Sequence, residues 1–238
     1  MRPQRGMVLG TVLLTASAMA AAGCDANVGT ITKQNSYTVT EPVTSLKVDN
    51  PVGNTKIEGT DATTVSVVEQ LSYASNPPQT SHAITGGQLN LSYTCPSGVD
   101  NVTINVNVCS VTYVVKVPRQ ISVQIHGQAG GITLTGLAGQ LAVTSATGSI
   151  DASELTSAAV TARTTAGAIA LDFTTPPSTV DAQAQVGSVT VQLPAGTAYA
   201  VDAGSQVGNV EVTVQRDPNS AHRVAAQSQV GSVTVGNV

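Results

Sequence analysis

Along most of this chain, apolar or small residues alternate with polar ones in short runs, and each run is interrupted by a glycine at a fixed place. Counting each copy from that glycine, position −7 holds Leu46, Val123, Leu141, Val160, Val180, Val201 and Val224. Position −5 holds Val48, Ile125, Val143, Ala162, Ala182, Ala203 and Ala226. The glycines themselves are Gly53, Gly130, Gly148, Gly167, Gly187, Gly208 and Gly231. At +2 every copy but the first, which has Thr55, carries Ile or Val, and +4 is again apolar. Alternation at period 2 on both sides of the glycine predicts two strands, each with one buried face. Across the glycine the inward set is expected to jump from −1 to +2. A strand makes such a jump only at a corner, which glycine turns most easily.

From Gly130 onward the glycines are spaced by 18, 19, 20, 21 and 23 residues. A period in that range predicts an all-β fold, a single-stranded parallel β-solenoid (β-helix) of about 20-residue coils. Six coils stacked at the inter-strand spacing make a rod of roughly 25–30 Å. The added residues all fall after +5, so loops that lengthen toward the C-terminus are expected on one edge, at 174–178, 193–196 and 215–220. An antiparallel sandwich is the alternative. It predicts Asn-Gly or Asp-Gly hairpin turns, and neither dipeptide occurs. Residues 60–117 fit the register poorly and hold longer alternating runs at 64–72, 87–93 and 102–117. They read as a wider, irregular first part of the solenoid that caps its N-terminal end. The solenoid domain is thus expected over 37–238.

The first residues read as an address. Arg2 and Arg5 precede a small-residue and apolar stretch, 7–22, that is short for a membrane span. It ends in Ala21-Ala22-Gly23-Cys24, which resembles a bacterial lipobox with Ala21 in place of the usual Leu. The expectation is a lipoprotein signal peptide over 1–23, lipid attachment to Cys24, and a polar tether over 24–36. That places the protein outside the cytoplasm, anchored to the bacterial cell membrane. With Cys24 acylated, Cys95 and Cys109 remain as an even pair in an oxidising compartment, where a disulfide persists. The alternative is two buried free thiols. A metal site is not supported, because no second Cys or His pair stands at ligand spacing.

Composition narrows the function classes. Charged residues make up 10% of the chain against about 25% in an average soluble domain. The net charge of −4 becomes about −6 without Arg2 and Arg5. Nucleic-acid binding, which needs clustered Lys and Arg, is excluded as a reading. There is no G-x-S-x-G, H-E-x-x-H or Walker-type phosphate loop, and no cofactor is implied. His82, His126 and His222 read as solvated residues. A polysaccharide-cleaving solenoid enzyme would need carboxylates at one outward offset on adjacent coils. Only Asp181 and Asp202, both at −6 in consecutive copies, meet that condition, and they are the one candidate ligand or ion point.

The motifs Tyr113-Val-Val-Lys-Val-Pro118, Gly130-Gly-Ile-Thr-Leu134 and Thr147-Gly-Ser-Ile-Asp151, with three Val-Gly-(Ser/Asn)-Val hexapeptides, resemble a bacterial family of provisionally named adhesin domains. That family is a β-solenoid of unknown function, frequent in Gram-positive lipoproteins. The resemblance covers most of 40–238 and implies no catalytic residues. It implies an adhesion or envelope-interaction role, and the weakly charged outward face of Thr, Ser, Gln and Asn suits contact with a cell-wall or extracellular glycan or a protein. An accessory part in an envelope-stress response is a further implication. Metabolic labelling with a fatty acid checks the anchor: wild type is labelled and Cys24→Ser is not. Unlabelled wild type would remove the lipoprotein reading.

Overall fold

The computed structural model describes residues 30–96 and 109–238. The expected signal peptide, Cys24 and the first half of the 102–117 run lie outside the described residues. The described chain is all β, and its strands form two mostly parallel sheets in a β-solenoid-like arrangement.

Strand β1 (Ile31–Val39) opens the chain, followed by the first corner pair, β2 (Ser45–Val52) and β3 (Thr55–Thr60), around Gly53. Four further strands are β4 (Val65–Tyr73), β5 (Gln79–Thr85), β6 (Gln88–Thr94) and β7 (Cys109–Pro118). Six corner pairs then follow the six remaining glycines. They are β8 (Ser122–Ala129) with β9 (Ile132–Thr135), β10 (Leu141–Thr147) with β11 (Ile150–Leu155), and β12 (Ala159–Ala166) with β13 (Ile169–Phe173). The last three are β14 (Thr179–Val186) with β15 (Val189–Leu193), β16 (Ala200–Val207) with β17 (Val210–Val212), and β18 (Arg223–Val230) with β19 (Val233–Asn237).

The first strand of every corner pair joins one sheet and the second joins the other. Positions −7, −5, +2 and +4 point between the sheets and are buried in nearly every coil. Two details of the corner differ from the expectation. Position −1 faces outward, as Val186, Val207 and Val230 show at 54%, 64% and 48% exposure. The inward position is −3, occupied by Asn50, Gly127, Ser145, Thr164, Ala184, Ser205 and Ser228. Being small or polar, these residues carry no hydrophobic signal. Several of their side chains donate to the glycine carbonyl of the coil beneath: Thr164 to Gly148 at 3.2 Å, Ser228 to Gly187 at 2.9 Å, Ser205 to Gly231 at 2.7 Å.

Each corner glycine has φ between 126° and 148°, outside the range of other L-residues. A Cβ there would also collide with the backbone below: 2.2 Å from the Gly53 carbonyl oxygen at Gly130, 1.9 Å from that of Gly167 at Gly187.

Coils do not stack in chain order, which is the main departure from a continuous helical path. β18 pairs with β14 on one side and β16 on the other, while β19 lies between β15 and β17. The last corner pair is therefore intercalated, and the β16–β17 coil is the outer one. The glycine file follows suit: Gly231 sits on Gly187, and Gly208 on Gly231. The two long connections make this possible by pairing with each other, Tyr199 N–H donating to Gln215 at 2.9 Å and Asp217 N–H to Tyr199 at 3.0 Å. The Tyr199 side chain is fully buried beneath them.

A similar exchange occurs at the other end. β2 lies between β8 and β6, and β3 between β9 and β7, so the coil formed by β6 and β7 is outside the Gly53 coil. Antiparallel β4 and β1 extend one sheet beyond β7, and antiparallel β5 extends the other beyond β6. Residues 31–36, expected in the tether, are thus part of an edge strand. The β5–β6 hairpin turns at Gly86 and Gly87, with φ of 59° and 80°. Gly-Gly serves that turn as Asn-Gly does. Across the end, the Tyr37 and His82 rings stack with centroids 4.4 Å apart. Beneath them Tyr37 donates a 2.9 Å hydrogen bond to the buried Glu69 carboxylate. Burial, together with that carboxylate, pushes the Tyr37 and Tyr113 hydroxyls well above the ordinary phenol range.

Cys95 and Cys109 form the expected disulfide, joining the end of β6 to the start of β7 where the other coils have a glycine corner. Replacing both by Ser removes roughly 3 kcal/mol in the loop-entropy estimate. Urea unfolding measures it, and a loss below about 0.5 kcal/mol would show the clamp to be dispensable. Gly187→Ala costs about 3 kcal/mol or more, because both φ and the close approach forbid it. Gly196→Ala, at φ 81° in open space, is the comparison and costs about 1 kcal/mol. Equal losses at the two sites would contradict the stacked-carbonyl account of the corner.

Candidate functional site

Just before the glycine corner, positions −4 and −2 on the strands of the nine-stranded sheet both face outward. Over six adjacent coils these rows line an open groove of about 650 Å³. Its −4 row runs His126, Thr144, Arg163, Gln183, Gln227, Gly204 in the order of the strands, and its −2 row ends Gln185, Gln229, Gln206. A shallower hollow of about 280 Å³ continues the same face toward β2, lined by residues such as Gln88, Gln124, Gln140 and Thr161. The surface is thus built from amides and hydroxyls spaced by the coil repeat.

Charge is sparse there and paired. Arg163 forms a short salt bridge with Asp181, whose other carboxylate oxygen accepts from Gln183 Nε2 at 2.7 Å. His126 Nδ1 lies 2.9 Å from Thr144 Oγ1. Asp202 accepts from Gln227 Nε2 at 3.2 Å. Gln227 lies against Gly204, whose missing Cβ would stand 2.5 Å from its amide oxygen. That glycine leaves room for the glutamine to lie across the strand.

The predicted pairing of Asp181 with Asp202 does not form. Both are register partners of Ala225, on opposite sides of β18, because the last coil is inserted between theirs. Two coil spacings, roughly 9.6 Å, separate them. No two acidic residues are register partners in any described strand pair. Among the described residues no three His, Cys, Asp or Glu side chains gather as metal ligands. His82 belongs to β5, where it stacks on Tyr37. His222 lies in the β17–β18 connection, and its Nδ1 sits 2.7 Å from the Pro177 carbonyl of a neighbouring loop.

Sequence reasoning missed the glutamine cluster. Gln183, Gln185, Gln206, Gln227 and Gln229 recur at two offsets of the repeat, which was the available signal. Their neighbour relations depended on the coil order.

The family model of Toastrack DUF4097 matches residues 46–236, a span that includes all seven corner glycines. The chain belongs to the Toastrack DUF4097 family. Among solved structures, a provisionally named cell adhesion protein from Clostridium sporogenes is 18% identical, with a TM-score of 0.49, over 87% of this chain and all of that one. A provisionally named adhesin from Bacteroides fragilis is 15% identical, with a TM-score of 0.45, over 87% of this chain and 97% of that one. No curated protein matches this Toastrack chain.

Proposed function

We propose that this Toastrack protein is a non-enzymatic adhesion or envelope-interaction module, displayed outside the cytoplasm on a lipid anchor at Cys24. Its groove takes an extended, uncharged polyhydroxyl chain, a glycan of the cell wall or the extracellular matrix. The observation that supports this reading is the lining: amides and hydroxyls in parallel rows, with the charge of the lining Arg163 neutralised by Asp181. Amide and hydroxyl groups donate and accept together, which matches a sugar hydroxyl and gives an anionic polymer no net cation to bind. Many modest hydrogen bonds along a file suit a repetitive partner, whose contacts add through multiple equivalent units.

Binding of the full chain to immobilised neutral and acidic glycans and to isolated cell walls tests it. Wild type is expected to be retained by a neutral glycan. The triple variant Gln183→Ala, Gln227→Ala, Gln229→Ala is expected to lose about tenfold in affinity with an unchanged circular dichroism spectrum. Equal retention of the two proteins, or no retention of wild type, removes the groove from the account. Appearance of new reducing ends during incubation would point to polysaccharide cleavage instead.

A further inference from the structure

The two ends of the stack are finished differently. At the N-terminal end, antiparallel β1 and β5 cover the last coil, the Tyr37–His82 stack closes the gap between the sheets, and Glu69 and Tyr37 are hydrogen-bonded beneath it. The edges there carry protective residues: Lys33 on β1, and Pro77 and Pro78 just before β5. At the opposite end, β16 and β17 are the outermost strands of the two sheets. Their free edges contain no Lys, Arg or Pro and no bulge, although Asp202 and Glu211 flank them on the outer faces.

The core is also uncovered there. Val210 at +2 is 44% exposed, where the same position is 0% exposed in Val189 and Val233. Val201, Ala203 and Val212 are only half-buried, against complete or nearly complete burial at these offsets in the coils beneath. Outward valines collect at the same end, Val186, Val230 and Val207 standing side by side at the corner. The three coils before them carry Ala166, Thr147 and Ala129 in that place, and the Gly53 coil carries Val52.

We propose that this end is an isologous interface for a second copy of the chain. A two-fold axis normal to the sheets sets β16 antiparallel to its own copy, and β17 likewise, so that both sheets continue across the seam in one step. The half-buried rows Val201/Ala203 and Val210/Val212 then meet their own equivalents, as an isologous contact requires. β16 is roughly 26 Å long and the two layers with their side chains are about 20 Å deep. The end face therefore offers roughly 500 Å² per copy, about 1,000 Å² in all, the lower bound for a specific interface. A contact of that size belongs with weak, reversible associations. Growth stops at two copies because the guarded N-terminal end offers no matching face. The groove reaches this same edge through Ser205 and Gln206, so the two-fold places two grooves end to end on one side of the dimer.

Sedimentation velocity of the full chain in excess detergent, from about 1 to 100 µM, tests the interface. Wild type is expected to shift from monomer to dimer over that range. Val210→Lys weakens the dimer at least about tenfold, whereas Ile31→Lys at the other end leaves it unchanged. Hydrogen exchange on wild type gives a second measure, with amides of β16 and β17 slowing as concentration rises and those of β1 and β5 unaffected. A chain that stays monomeric throughout overturns the proposal. So does dimerisation of Val210→Lys as strong as that of wild type, loss of the dimer in Ile31→Lys, or concentration-dependent protection at β1 and β5.

Discussion

Everything in this fold depends on one backbone contact, the approach of each corner glycine to a backbone carbonyl of the coil beneath, which is that of Val111 under Gly53 and that of another corner glycine in the other six. With no room for a Cβ and a φ that other residues avoid, the corner can be made in only one way, and every coil must place its glycine in the same file. That file sets the register of both sheets at once, since strands before and after it are counted from the same atom. Connections can then vary from three to ten residues without disturbing the core. The small residues at −3 belong to the same device: in three coils a Ser or Thr hydroxyl satisfies the glycine carbonyl beneath it, which is otherwise buried at the bend.

The same contact explains what could be read from the sequence. Glycines and flanking apolar offsets report positions forced by backbone geometry and burial, so the strand-corner-strand unit, its inward rows and its variable edge were legible. Coil order was not, because every coil presents the same inward pattern and any permutation of Gly187, Gly208 and Gly231 fills the core equally well. The deciding information sits in the links. Tyr199 buried under two long connections that pair with each other holds the β16–β17 coil one place further out. Val at −1 was misassigned to the interior because hydrophobicity was taken for burial. Inward Ser, Thr and Asn at −3 passed unnoticed for the converse reason. β1 was hidden because its first residues, Thr32 to Ser36, are polar on both faces, as an edge strand with one solvated face permits.

At the capped end the physics changes from packing to polar satisfaction. Glu69 occupies an inward position in the otherwise apolar run of β4 and is 1% exposed. A buried carboxylate is tolerated only where donors reach it. Tyr37 supplies one from β1, the strand added outside β4. The cap is therefore more than a cover: its outermost strand brings the hydroxyl that makes the inner polar residue acceptable. Antiparallel pairing lets β1 and β5 end the two sheets without starting another glycine corner. The stack consequently has an end at which the repeat rule is deliberately abandoned, and Cys95–Cys109 takes the place of the corner in the β6–β7 coil.

The intercalated last coil also decides the chemistry of the outer face, which no inward pattern constrains. Stacked in chain order, Asp181 and Asp202 would have been neighbours and Gln227 would have stood at the rim beside Gly204 alone. Inserting β18 puts Ala225 between the two acids and lays Gln227 between Gln183 and Gly204, where it fills the space that the missing side chain leaves. One change of order thus replaces an adjacent acidic pair with a run of amides. The repeat makes the rod, but the sequence in which the coils are laid down makes its surface. Function in such a protein follows from the exception to the repeat rather than from the repeat itself.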